Sequence, residues 1–219
     1  MSAGSFTSVL GVFGGMFLWC WSLYEWRDAQ QWKRATRLDD LIREFDTTPL
    51  LQIGRVVIDW AFRTVDDGPT RRHISNNDAI LALRVYKSDP LTNGQYEGEQ
   101  ARIRDGLDAL LTFFERLHVA VSTRSVEIAH ARHFFRYWLW VLVTYKWHEV
   151  GNADVDTVRE FVQKKGSVAA CVADYIAEYG NIETIVRLCQ QLGVPPPNEL
   201  IERAERKRLE RPRWIEPVD

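Results

Sequence analysis

A charge-free N-terminal stretch constrains the fold of this chain more than any other feature. Residues 9–26 read VLGVFGGMFLWCWSLYEW, and no charged side chain occurs before Glu25. About 20 helical residues span the roughly 30 Å hydrocarbon core of a bilayer. The alternatives are a buried helix and a cleaved signal, but a signal needs a preceding basic residue and a small-residue cleavage site. The sequence therefore predicts a retained transmembrane helix over residues 1–26.

Aromatic and basic residues after the apolar run predict its orientation. Amphipathic rings favour the headgroup zone of a bilayer, so we expect four side chains to anchor this end of the span: Trp19, Trp21, Tyr24 and Trp26. Four basic residues follow, and none precedes the run: Arg27, Lys33, Arg34 and Arg37. The positive-inside rule then predicts that the N-terminus lies outside and the rest of the chain in the cytoplasm.

Small residues recur along the same segment at helical spacing. They lie four, three, four and seven positions apart, which puts them on one helix face: Gly4, Ser8, Gly11, Gly15 and Ser22. We call this set the glycine stripe. Within a membrane, such a face allows close packing of helices, and a single span must find its partner in another molecule. The pattern predicts a homo-oligomer whose stripe forms the helix contact or the pore face; the alternative is a simple anchor with incidental glycines.

The remaining chain reads as helical, and the predicted fold class is all-α: one transmembrane helix followed by a cytoplasmic multi-helix domain. Apolar residues recur at helical spacing in segments joined by polar or proline-containing breaks. The predicted helices cover about 36–45, 50–64, 77–85, 97–121, 124–147, 154–164, 167–179, 182–192 and 198–210. Residues 66–77 and 88–98 are predicted loops.

We divide the chain into four regions. Residues 1–26 form the transmembrane helix, 27–65 the membrane-proximal helices, 66–195 the cytoplasmic helical domain and 196–219 a charged C-terminal helix and tail. The net charge of −2 argues against global attraction to nucleic acid, and three widely separated cysteines fit a reducing compartment.

Two clusters have the residue types of catalytic or metal sites, without the expected spacing. The first cluster could hold a metal through two histidines three positions apart and a nearby carboxylate: Glu127, His130 and His133. No H-E-x-x-H motif is present.

The second cluster is formed by the acidic residues of the 97–121 helix. They alternate with Arg102, Arg104 and Arg116, which is typical of a solvated, charge-paired face. A membrane-bound nuclease using Glu97, Asp105 and Asp108 is the enzymatic alternative. We expect no enzyme, no metal and no cofactor.

The segment RHFFRYWLW (132–140) contains a candidate ligand site. Arg132 and Arg136 are one helical turn apart beside aromatic rings, and arginine forks with aromatic faces are typical of nucleotide and single-stranded nucleic-acid sites. We add Arg71 and Arg72 as further candidates for binding an anionic regulator. The alternative is a core helix whose two arginines extend to the solvent.

The stretch LDALLTFFERLHVAVSTRSVE (107–127) resembles a bacterial family of small membrane-anchored helical proteins of unknown function. The resemblance rests on the motif L-x-x-[FY]-[FY]-E-x-[IL]-x-x-[AG]-V, matched here by Leu110, Phe113, Phe114, Glu115, Leu117, Ala120 and Val121. The chain is also similar to the transmembrane effectors of the Hailong anti-phage systems.

This second resemblance implies an oligomeric channel of the bacterial inner membrane, by analogy a tetramer. It also implies that single-stranded oligonucleotides from a partner nucleotidyltransferase keep the channel closed, and that opening aborts infection. The partners so implied are membrane lipid, further copies of the chain, the oligonucleotide and the nucleotidyltransferase. The alternative function is a membrane-tethered interaction module without a pore, which localises a cytoplasmic partner.

Overall fold

The computed structural model describes residues 3–59, 63–67, 70–74, 76–83, 98–144 and 168–210, without the side chains of 3–15, 17, 63–77 and 168–170. These residues contain eight helices: α1 (Ala3–Thr47), α2 (Pro49–Asp59), α3 (Asn76–Ala82), α4 (Gly98–Ser122), α5 (Ile128–Thr144), α6 (Val168–Tyr179), α7 (Ile182–Leu192) and α8 (Asn198–Glu210). One antiparallel hairpin lies between α2 and α3, with strands β1 (Arg63–Asp67) and β2 (Thr70–Ile74). The described chain is therefore helical apart from this hairpin.

Helix α1 runs without interruption for 45 residues. Among its described side chains, those buried against the other helices lie in the C-terminal part: Leu38, Leu41 and Phe45. Pro49 lacks the backbone N–H that a continuing helix would use, so α1 ends there and Pro49 starts α2. The sequence predicted a transmembrane helix over 1–26 and a separate helix over 36–45, whereas in the structure both segments belong to the single helix α1.

Helix α4 is the centre of the core. Its predicted apolar spacing is confirmed, because these side chains are all buried: Ile103, Leu107, Leu110, Leu111, Phe114, Leu117 and Val121. Helix α2 crosses α4 where Gly54 faces Gly106, and a Cβ built on Gly54 would lie 2.4 Å from the Gly106 carbonyl oxygen. The two glycines therefore set how closely the helices approach.

A cluster of aromatic rings joins α1 to α4 and α5. The ring centroid of Phe45 lies 4.8 Å from that of Phe113, 5.4 Å from Phe135 and 5.7 Å from Trp138. Arg55 of α2 covers the cluster, with its guanidinium carbon 4.7 Å from the Phe45 ring centre and Nη1 2.8 Å from a carboxylate oxygen of Asp46. The end of α1 is thus held from three sides.

Three sequence expectations about local structure are wrong. Residues 66–77 were expected to be a loop, but they include most of the hairpin, in which Arg63 pairs with Ile74 and Asp67 with Thr70. The 50–64 helix ends at Asp59 and its last residues belong to β1. The 124–147 helix starts only at Ile128, because the turn before it places Arg124 at a φ of 57°. The predicted 154–164 helix lies outside the described residues.

Three arginines bind other helices, and two of them, Arg104 and Arg116, were expected to pair along the surface of their own helix. Arg116 of α4 forms two 2.6 Å contacts with the Glu44 carboxylate of α1. The buried Arg104 donates a hydrogen bond to the Ala82 carbonyl, 2.9 Å away. Arg203 of α8 contacts Asp174 of α6 at 2.6 Å. The charged side chains of these three arginines therefore form contacts between elements rather than within a single solvent-exposed helix.

Candidate functional site

A concave cleft lies between α5 and the segment that follows α7. It has a volume of about 750 Å³ and is lined by Ala129, Arg132, His133, Arg136, Tyr137, Trp140, Val194 and Pro195. The structure therefore brings the two arginines predicted on α5 into one cleft with two aromatic rings.

The amphipathic character of α5 produces one wall of this cleft. Phe135 and Leu139 are buried in the core, whereas Arg132, Arg136 and Tyr137 are exposed on the other side. Residues spaced three and four apart share a helix face, so the cations and the aromatic rings point into the same space.

The second wall depends on how α7 ends. Gly193 adopts a φ of 69°, a left-handed conformation that glycine accepts readily, and the Val194 N–H then donates to the Cys189 carbonyl at 2.8 Å. This cap turns the chain back over α5 and sets Val194 and Pro195 beside the arginines. Sequence reasoning recognised the break at the prolines but not that it completes a cleft.

The two arginines of the cleft differ in availability. An Nη2–H of Arg132 donates to the carbonyl oxygen of Gln191, 3.0 Å away, in the last turn of α7. Among the described residues, the Arg136 guanidinium has neither a hydrogen-bond nor an ion-pair partner. Arg132 is thus held in place, while nothing within the described part of the chain occupies the Arg136 donors, which can bind an anion.

Aromatic side chains form the other part of the cleft. The ring centroids of Tyr137 and Trp140 lie 6.3 Å apart and the rings are tilted by 38°. The Tyr137 hydroxyl donates to the Asp59 carboxylate at the end of α2, and this hydrogen bond raises the pKa of Tyr137. A cleft lined by the guanidinium of Arg136, the exposed Tyr137 ring and the half-buried Trp140 ring suits a ligand that combines an anionic group with a planar ring.

The other two predicted regulator residues belong to the hairpin. Arg71 and Arg72 lie in β2, where their backbones pair with those of Asp66 and Val65. Their side chains lie outside the described residues. The structure thus shows Arg132 and Arg136 lining one cleft and describes only the backbones of Arg71 and Arg72.

The predicted membrane-interface residues lie on a free part of α1. Between 55% and 68% of each side chain is exposed in Trp19, Trp21, Tyr24 and Trp26, and Ser22 is also exposed. The backbones of Gly4, Ser8, Gly11 and Gly15 belong to the same helix. Among the residues with described side chains, which leave out 3–15 and 17, no helix has the length and apolarity to cross a membrane.

Three of the candidate metal-binding and nuclease residues, Glu127, His130 and Asp108, have contacts within the protein. His130 Nδ1 lies 3.3 Å from a carboxylate oxygen of Glu127. Asp108 accepts a 2.5 Å hydrogen bond from the Tyr175 hydroxyl, and burial is the main reason that the pKa of this tyrosine is raised. Within the described part of the chain, no three potential metal ligands cluster. Glu97 lies outside the described residues.

Searches against protein-family models, curated proteins and solved structures find no match to the chain. A functional hypothesis therefore depends on two features of the molecule itself: the α5 cleft and the exposed N-terminal part of α1.

Proposed function

We propose that this chain is an oligomeric membrane effector of a bacterial anti-phage system, which opens an ion-conducting pore in the inner membrane. In this proposal the N-terminal part of α1 inserts into the bilayer and the helical domain controls it from the cytoplasm. The observation that carries the proposal is the continuity of α1, because one unbroken helix bears both the exposed aromatic residues and the buried Phe45.

The length of the free part of α1 supports membrane insertion. At about 1.5 Å per residue, residues 3–26 extend about 36 Å, which exceeds the hydrocarbon thickness of a typical bilayer. Residues 27–37 add about 16 Å before Leu38 enters the core. The aromatic anchors then lie well clear of the domain, as an interfacial position requires.

The angular positions of residues around α1 support self-association. At about 100° per residue, Leu38 and Phe45 lie about 160° and 140° around the helix from Ser22, the last member of the glycine stripe. The stripe therefore faces away from the side that packs against the chain's own domain. Copies of α1 can meet through the stripe while their domains remain on the outside.

The aromatic cluster supports control of α1 by the domain. Phe45 contacts Phe135 and Trp138, which lie on α5 next to the cleft residues Arg136 and Tyr137. Interiors are close-packed, so a displacement of α5 must be accommodated at Phe45. A ligand in the cleft can then bias the position of α1.

The chemistry of the cleft supports an anionic regulator with planar rings, such as a single-stranded oligonucleotide. Arg136 would bind a phosphate, and Tyr137 and Trp140 would stack against bases. The similarity to Hailong effectors implies that such a ligand holds the pore closed and that its loss opens it.

Cysteine cross-linking tests the assembly through the glycine stripe. Ser22→Cys in a Cys20→Ser background places a thiol on the stripe, whereas the native Cys20 lies about 160° away on the opposite side. We expect the Ser22→Cys chain in membranes to form disulfide-linked dimers and the native chain to form far fewer. Stronger cross-linking through Cys20 would overturn this assembly.

Planar-bilayer conductance tests the pore. We expect conductance from the native chain and its loss in Gly11→Leu/Gly15→Leu; the matched control Val9→Leu/Phe13→Leu, on the opposite side of the helix, should still conduct. Adding an oligonucleotide should close the native channel but not one with Arg136→Gln. Two results together would make the chain a tethered interaction module instead. Bilayers would show no conductance with or without oligonucleotide, and a chain with an unrelated monomeric span in place of residues 1–24 would keep its anti-phage activity.

A further inference from the structure

The side of α1 that packs against the domain changes character where the helix leaves the core. Leu38, Leu41 and Phe45 are buried, and the same alternation of three and four residues continues toward the N-terminus at Arg34, Gln31 and Arg27. These three side chains are exposed, and we call them the arginine stripe. The same face of α1 is therefore apolar where the helix packs in the domain, and it carries hydrogen-bond donors in the part of the helix N-terminal to the domain.

The donors of the arginine stripe are available for a partner. Within the described part of the chain, Arg27, Gln31 and Arg34 have no side-chain hydrogen bond or ion pair. The stripe begins directly after Trp26, the last of the exposed aromatic anchors. A partner of the stripe must therefore lie next to the place where the aromatic belt of α1 ends.

We propose that the arginine stripe binds the phosphates of anionic phospholipid headgroups in the leaflet next to the domain. This inference rests on the proposed insertion of α1 into the membrane. A guanidinium binds phosphate oxygens through two parallel hydrogen bonds, and the Gln31 amide supplies two further N–H donors between the two arginines.

The dimensions of the helix fit this partner. Arg27 and Arg34 are about 10 Å apart along the axis, and the headgroup layer of one leaflet is about 5–8 Å thick. An arginine side chain can extend along the helix toward the interface while its charged end stays hydrated. Both guanidinium groups can therefore reach the same headgroup layer.

The direction of the stripe favours lipid over another copy of the chain. Arg27 and Arg34 lie about 140° and 120° around the helix from Ser22. In an assembly through the glycine stripe, the arginines point outward to the surrounding lipid, where like charges of different copies do not meet. Lipid phosphates then neutralise charges that would repel each other inside a bundle.

Partition of the full chain into vesicles tests the proposal. Co-flotation compares vesicles of phosphatidylcholine alone with vesicles that contain one-third phosphatidylglycerol. Each basic residue near an anionic surface contributes about 1 kcal/mol, which is about a fivefold change in partition. We expect Arg27→Gln/Arg34→Gln to lose about 25-fold of the phosphatidylglycerol-dependent gain, and high salt to remove the gain of the native chain.

A matched control separates position from net charge. Arg206→Gln/Arg208→Gln removes the same two charges from exposed positions of α8 and should keep the full gain. The headgroup site is wrong if Arg27→Gln/Arg34→Gln keeps the phosphatidylglycerol-dependent gain in partition, or if phosphatidylglycerol does not increase the partition of the native chain. In either case, binding to phosphatidylcholine vesicles would leave the proposed insertion of α1 intact. Failure to bind either vesicle overturns both.

Discussion

Gly54→Ala is the most informative single change for the architecture that supports the cleft. The added Cβ would lie 2.4 Å from the Gly106 carbonyl oxygen and 3.0 Å from its carbon. Both atoms belong to the backbone of α4, so no side-chain rotation can make room. Helices α2 and α4 must separate by about 1 Å to restore an ordinary contact distance.

The expected magnitude follows from two opposing terms. Replacing glycine by alanine within a helix stabilises the fold by up to about 1 kcal/mol. Overpacking typically costs about 1–3 kcal/mol, and a clash with backbone belongs at the upper end of this range. We expect a net loss of about 2 kcal/mol in the free energy of unfolding, which lowers Tm by about 4–8 °C for a chain of this size.

The assay is denaturation of the full chain in mild detergent, followed by circular dichroism. Gly98→Ala is the matched control, because a Cβ at the first residue of α4 meets nothing within 4 Å. We expect its stability to stay within about 0.5 kcal/mol of the native value. Equal stability of the two variants would refute the reasoning about the helix crossing.

Three other changes test separate parts of the fold. Burial raises the pKa of Tyr175, so the contribution of the neutral phenol to stability is complete below about pH 10 and is lost as the pH rises. Denaturant melts of Tyr175→Phe should therefore lose less stability at alkaline pH than melts of the native chain. An unchanged dependence of stability on pH would contradict this prediction. Burial also raises the pKa of the Cys189 thiol to about 12. An alkylating reagent should therefore modify the exposed Cys20 first and Cys189 only when the chain unfolds. Equal alkylation rates of Cys20 and Cys189 would contradict the position of Cys189 in the core. Phe45→Ala should cost about 3–5 kcal/mol in denaturant unfolding, whereas Trp32→Ala on the free part of α1 should cost little; a small loss at Phe45 would mean that α1 is not anchored by the aromatic cluster.

Local sequence signals predicted the helices whose ends are encoded within a few residues. Helix α7 has the predicted bounds because the Asn181 side chain accepts from the Thr184 N–H and Gly193 provides the left-handed cap. Helix α8 likewise follows its proline break and begins at Asn198. The hairpin was missed although Asp67-Gly68 is a hairpin signal, because its flanking strands lack a clear apolar alternation.

The candidate cleft was half predictable. The four-residue spacing of Arg132 and Arg136 put both on one side of a helix, and they do line one cleft. No local pattern could reveal that Val194 and Pro195 would cover them, since this contact joins residues about 60 positions apart. The same limit applies to the Gln191 carbonyl, which holds Arg132 but leaves Arg136 unpaired among the described residues.

The sequence by itself predicted most of the described helices, the apolar face of α4, and the bounds of α7 and α8. These properties depend on the spacing of neighbouring residues along a 3.6-residue period. Only the tertiary structure decided that Arg116 pairs with Glu44, that Arg104 is buried, and that α5 forms one wall of a cleft. Partner choice depends on how helices cross, and a close approach such as that of Gly54 and Gly106 becomes visible only when both helices are in place.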